Sequence, residues 1–244
     1  MYMRQTCSVR SSDFVVAHAG VIEENVSILM ETLDYILANW PLIVSRTGEH
    51  VSIVGVAVGL AILTGVPIGI AITQNKRAAD AVLYVASIVI TIPSIALFGM
   101  MIPVLSLIGQ GIGYLPAVIA VLLYSQLPII RNTYTAITNI DPALREAARG
   151  MGLTRLQRLS EVELPLAVPV IMAGVRIAVV MNIGVTAIAA YIGAGGLGAF
   201  ISRGISQTDP RQLITGALAV SALAVVADVV LQGLQRLLTS PGTR

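Results

Sequence analysis

The sequence predicts an all-α fold, a polytopic bundle of membrane helices, and three observations carry that reading. Of its 244 residues 56% are hydrophobic and only 11% are charged, against about 25% charged in an average soluble domain. The mean hydropathy is +0.85, more apolar side chain than a water-soluble sphere of this size could hide. Long uncharged runs recur along the chain, each near the ~20 residues needed to cross a bilayer core.

Composition also excludes several functions. The single cysteine, Cys7, supports neither a disulfide framework nor a thiolate metal site. The two histidines, His18 and His50, cannot make a zinc site unaided, and no metal site is expected. Lys76 is the only lysine and is not part of the Gly-Lys-Ser/Thr that a nucleotide-binding P-loop requires. A net charge of +2 gives no reason to expect nucleic acid. No histidine or cysteine falls inside the expected spans, so no catalytic set is expected and the chain reads as a non-enzyme.

The first clear span is Val51–Thr73, closed by Asn75-Lys76-Arg77. Asp80 and Arg131 then bracket 50 uncharged residues. One helix of that length would reach about 75 Å against a ~30 Å core, so the chain must turn. The glycines at 109, 111 and 113 place the turn, giving spans near 81–108 and 114–137, with Pro93 and Pro103 as sites of expected kinks or unwinding in the former. Leu164–Ala190 and Gln212–Leu234 complete five spans, with Arg176 and Asp228 inside them. Residues 26–44 carry Glu31 and Asp34 and end at Pro41. They read as an amphipathic interfacial helix, or as a sixth crossing. The expected domains are an N-terminal extracytoplasmic or interfacial segment over 1–45, a transmembrane domain over 46–238 and a short tail over 239–244. No signal peptide is legible in residues 1–20, where Phe14–Ala17 is the longest apolar stretch. With five spans one side receives nine lysines and arginines and the other five; the positive-inside rule therefore places residues 139–163 in the cytoplasm.

That loop is the most informative stretch. Asp141-Pro142 suits a helix start, Gly150 and Gly152 suit its end, and Thr154 suits the cap of a second helix through Arg155-Leu-Gln-Arg158-Leu. Two short amphipathic helices outside the membrane fit a partner's groove. Glu146-Ala147-Ala148, three residues, Gly152, nine residues and then Val162-Glu163-Leu164-Pro165 resemble the EAA loop of type I ABC importer permeases, with Val for Ile as the one departure. Over residues 45–238 the runs LPIIRNTYTAITNIDPALREAARGMG, ELPLAVPVIMAGVRIAVVMNIG and AAYIGAGGLGAFISRGI look like the osmoprotectant branch, which carries glycine betaine, choline and carnitine. The methionine and phosphonate branches share parts of this pattern.

The resemblance implies alternating-access import of such solutes through a bacterial or archaeal cytoplasmic (inner) membrane. The coupling loop over 141–165, with Glu146, Ala147, Ala148, Gly152, Leu164 and Pro165, would seat in an ATPase subunit. ATP and magnesium would be bound there, with no cofactor on this chain. Two ABC ATPase subunits, a second permease copy or paralogue and an extracytoplasmic substrate-binding protein would be its partners. The alternatives are a permease for methionine or another small solute, and, outside the class, an ion-coupled secondary transporter, whose internal repeats are not found here.

Other residues carry weaker signals. Gly193, Gly195, Gly196 and Gly198 have G-x-G-x-x-G spacing, but no strand precedes them and no acid stands about 20 residues later, as dinucleotide binding requires. Tight packing, a flexible turn, or an outer gate or docking loop are the readings left. Arg176 and Asp228 lie at similar depth and are expected either to pair or to act on substrate or gating. Tyr84, Thr91, Ser94, Asn182 and Thr186 are the span polar groups that could line a pathway. Each could equally bond back to its own helix. Aromatics are only 5% of the chain, so tight capture of a quaternary ammonium by aromatic faces is expected on a separate protein.

Overall fold

A computed structural model describes residues 26–239; the expectations for Cys7, His18, a signal peptide and most of the N-terminal and C-terminal segments lie outside the described residues. Every described element is helical. Helix α1 covers 26–38 and is followed by α2 (Trp40–Ala71), α3 (Lys76–Thr91), α4 (Ser94–Ser106), α5 (Tyr114–Thr138), α6 (Pro142–Gly150), α7 (Arg155–Arg158), α8 (Leu164–Ile188), α9 (Gly198–Gln207) and α10 (Pro210–Leu238). Among the described residues four helices are long and apolar enough to span a membrane, and a fifth span arises if the bent pair α3–α4 counts as one. Large apolar side chains cover the outside, such as Leu63, Val104 and Val225, as lipid contact requires.

Helix α5 is the axis of the bundle, packed between α2 and α8 with α3 alongside. Small residues bring the backbones together. A Cβ on Gly69 of α2 would lie 2.6 Å from Thr133 Cβ, and one on Gly174 of α8 would lie 2.6 Å from Asn132 Cβ and 2.7 Å from the Pro128 carbonyl. Lipid tails are as apolar as leucine, so close contact rather than water exclusion holds such helices together. Ile53, Ala57, Phe98, Ala117, Val121 and Ala189 pack one end of this core.

The structure refines the expected spans in three places. Residues 81–108 are broken at Pro93, the unwinding rather than the kink of the two expected outcomes, and α3 and α4 meet at 98°. Pro93 lacks an N–H and holds Ile92 extended, at φ −69° and ψ 125°. The Ile92 carbonyl accepts a 2.6 Å hydrogen bond from Tyr124 Oη on α5. Pro103, the other expected kink, stays inside α4. The first span also starts earlier than Val51, at Trp40, which takes His50 into a span expected to contain no histidine. Finally, the expected interfacial helix over 26–44 divides at Asn39, and α2 follows almost without interruption.

At the other end of the bundle, α7 is not a free helix. A π turn over Leu159–Glu163 joins it to α8, giving one helical run from Arg155 to Ile192. Replacing Gly69 or Gly174 by Val should force α2 or α8 off α5 and cost about 1–3 kcal/mol or more. A lower midpoint in thermal unfolding of the purified protein checks this, and Gly99→Val, where a Cβ meets nothing within 4 Å, should leave the midpoint nearly unchanged.

Candidate functional site

The amphipathic loop is built by its caps. Asp141 Oδ1 accepts from Ala143 N at 2.9 Å to start α6, with Pro142 at the first helical position. Gly152 ends it at φ +82°, a left-handed turn in which Gly152 N donates to Arg149 O and Leu153 N to Ala148 O. Thr154 and Gln157 then form a reciprocal capping box on α7. Ala148 is buried, whereas Glu146, Ala147 and Gly152 are exposed. Leu144, Met151 (73%) and Leu156 (75%) also stand in the open. An acidic group beside exposed alkyl side chains on short capped helices is chemistry for a protein groove.

Glu163 fixes this loop to the bundle. Its side chain is buried, and Oε1 accepts from Arg158 Nε at 2.9 Å and faces Arg145 Nε at 3.3 Å. Arg145 Nη2 also donates to the Ile137 carbonyl at the end of α5. One carboxylate therefore ties α6 and α7 to the start of α8, where Leu164 is half-buried and Pro165 exposed. In the sequence Glu163 stands within the Val162-Glu163-Leu164-Pro165 run of the EAA-like loop, with no role of its own. Its place beside Leu164-Pro165, where a charge must enter the bundle end, is the signal that marks it.

The glycine segment lies at the opposite end, near the start of α2. Gly193, Gly195 and Gly196 all have positive φ. Glu49 Oε2 accepts from Gly196 N and from Arg46 Nη1, each at 2.8 Å. His50 is fully buried. Its Nε2 lies 3.0 Å from the Ile183 carbonyl and its Nδ1 accepts from Leu197 N at 3.3 Å, which defines a neutral ring protonated at Nε2. A Cβ on Gly195 would collide with Glu49 Oε2, and one on Gly196 would sit 3.1 Å from His50 Nδ1. At the start of α9 a Cβ on Gly198 would collide with the Ala187 carbonyl. The segment is thus clipped to α2 by Glu49 and His50, neither of which the motif spacing pointed to. Beyond α9, Asp209 caps α10, and the donors of Arg211 and then Gln212 hold its carboxyl below the ordinary carboxylate range.

Arg176 and Asp228 are brought together. Arg176 Nη2 reaches Oδ1 at 2.8 Å and Oδ2 at 3.0 Å, and Nε reaches Oδ1 at 3.0 Å. Gln235 accepts from Arg176 Nη1 at 3.2 Å and donates to the Pro169 carbonyl at 3.1 Å, so the pair belongs to a network across α8 and α10. The five span polar residues are not gathered into one site. Tyr84 (68% exposed) and Thr91 face outward from α3, and Ser94 starts α4 half-buried. Asn182 and Thr186 are buried on α8, where Asn182 Nδ2 donates to Ser125 Oγ of α5 at 2.9 Å.

Apolar spans with an ion-locked amphipathic loop at one end of the bundle define a membrane protein. Residues 61–240 match the family described as the binding-protein-dependent transport system inner membrane component, and the chain belongs to that family. It is 57% identical over 215 residues to the osmoprotectant import permease protein OsmW of Salmonella typhimurium, covering 88% of this chain and 100% of OsmW. It is 40% identical over 212 residues to the glycine betaine/carnitine/choline transport system permease protein OpuCB of Bacillus subtilis, covering 87% and 95%. In fold it is similar to a chain of the inward-facing MetNI methionine ABC transporter, with TM-score 0.75, 24% identity and coverage of 83% and 99%. The protein is an ABC transporter permease subunit and not itself catalytic.

Glu163→Ala should leave Arg145 and Arg158 unpaired at a cost of roughly 3 kcal/mol, the low end for breaking a buried ion pair. Faster amide hydrogen exchange over 142–158, with α5 unchanged, is the check. His50→Leu should leave the Leu197 N–H without its partner, a loss of about 1–3 kcal/mol, and the expected readout is protease cleavage within 193–198 that the wild type resists.

Proposed function

We propose that this chain is the permease subunit of an ATP-driven importer of osmoprotectants such as glycine betaine, choline or carnitine, in the cytoplasmic membrane of a bacterium or archaeon. The observation that carries the substrate class is 57% identity over the full length of a permease named for osmoprotectant import. Relatives named for glycine betaine, choline and carnitine support it. The fold similarity to a methionine transporter, at 24% identity, bears on architecture alone.

In this reading the chain works with a second permease, a copy or a paralogue, and the pathway opens alternately to the two sides. ATP and magnesium are held by two partner ATPase subunits. Helix α6, with Glu146, Ala147 and Ala148, seats in the ATPase. Gly152 lets the chain reverse into α7, and Leu164-Pro165 lead into α8. Glu163 makes this a stiff linkage, because α6, α7 and α8 share its carboxylate. The Arg176–Asp228–Gln235 network then binds α8 to α10, so movement of the loop carries two spans together. At the far end the clipped segment through Gly193, Gly195, Gly196 and Gly198 belongs to the outer face, where a substrate-loaded binding protein docks. Tyr84, Thr91 and Ser94 are open to a pathway between permeases. Asn182 and Thr186 reach solute only if α5 and α8 part.

Uptake of labelled glycine betaine and choline at high osmolarity, in cells with and without the gene, tests the proposal. Gene-dependent uptake that carnitine competes and methionine does not is the expected result. Uptake competed by methionine alone, or none with ATPase and binding protein present, removes the substrate assignment. Glu146→Arg and Gly152→Asp should each abolish ATP-driven uptake while the protein remains in the membrane, and retained uptake would refute the coupling role.

A further inference from the structure

The loop end of the bundle contains a cavity of about 410 Å³ whose lining includes Arg145, Arg149, Arg155 and Arg158, with Glu163 as the one carboxylate. Thr73 and Gln74, in the short 3-10 turn that follows α2, and Thr138 of α5 are also in its lining. Four guanidinium groups around one concavity repel one another, and Glu163 offsets a single charge, leaving a formal excess of three. Glu163 is engaged by Arg145 and Arg158. Arg149 and Arg155 carry no ion pair among the described residues, although one stands on α6 and the other starts α7 on the far side of the Gly152 turn.

We propose that this cavity binds a phosphate group, with Arg149 and Arg155 closing on its oxygens and joining α6 to α7 across the turn. Guanidinium forks match phosphate geometry in a bidentate manner and hold it more firmly than a point charge would. The side-chain amide of Gln74 adds a neutral donor to the wall, whereas the Thr73 and Thr138 hydroxyls donate to the Ile70 and Tyr134 carbonyls. The cavity opens where α2 ends, just before Lys76 and Arg77, which is headgroup level for a helix that spans the bilayer. Basic pockets between helices at that level suit anionic headgroups. The phosphate is therefore either that of an anionic phospholipid or a soluble one. A bound phosphate fixes the relative position of α6 and α7, which Glu163 holds only from the bundle side.

The test uses the full-length protein with whatever subunits co-purify, and it reads binding, so it does not depend on which solute is carried. In one arm inorganic phosphate and pyrophosphate are titrated in detergent at constant ionic strength against chloride, and the thermal midpoint is followed. In the other, retained phosphatidylglycerol is measured by native mass spectrometry after incubation with phosphatidylglycerol or phosphatidylcholine. A midpoint that rises with phosphate, and needs at least about tenfold more of it in R149Q/R155Q, assigns a soluble phosphate. Retention of phosphatidylglycerol over phosphatidylcholine that is lost in R149Q/R155Q assigns a lipid. R149K/R155K, which keeps the charge but not the fork, should weaken whichever response is seen and stands in if the Gln pair does not fold. Arg203→Gln, at the opposite end, should respond as wild type. No response in either arm, or equal responses in wild type and both double variants, overturns the proposal.

Discussion

The close approach of α2 and α8 to α5 is the constraint on which the rest of this structure depends. In lipid there is little hydrophobic gain from bringing helices together, so backbone proximity must supply the contact energy. Gly69 and Gly174 permit it on two sides of α5, where a single added Cβ would fall within 2.6 Å of Thr133 or Asn132. Once α5 is held this way, its Tyr124 hydroxyl meets the carbonyl freed by Pro93. The sharp turn between α3 and α4 thus becomes a fixed part of the fold.

The same packing decides how polar groups survive in an apolar interior. Asn182 bonds Ser125 across the α5–α8 contact, and the buried His50 ring spans Ile183 and Leu197. Asn182 Oδ1 and Thr186 Oγ1 remain without partners in the described structure. The Gln126 Oε1 and Thr215 Oγ1 atoms are in the same condition, so these exceptions are spread over α5, α8 and α10 rather than gathered in one site.

The two ends of the bundle are stiffened in different ways. At the loop end a carboxylate shared by two arginines carries the load, and its charge must stay paired once buried. At the glycine end the clip is made by backbone N–H groups donating to Glu49 and His50, which requires the left-handed backbone that Gly195 and Gly196 provide. Both arrangements anchor a connecting segment to a long helix rather than to another loop.

The sequence by itself determined the helical membrane class, the main spans, and the loop with its Asp141, Gly152 and Thr154 caps. Those features follow from hydropathy and from interactions between residues within a few positions of one another. It also placed Arg176 and Asp228 at matching depth, since charge inside an apolar run is visible without a structure. Tertiary structure alone decided between a kink and an unwound break at Pro93: the chain breaks and turns by 98°, with Tyr124 reaching the Ile92 carbonyl from another helix. It alone decided that Glu163 serves both Arg145 and Arg158, and that His50 and Glu49 hold a segment nearly 150 residues away. Such contacts have no signature in spacing. They exist because the packing of α5 brings distant backbone to within hydrogen-bonding reach.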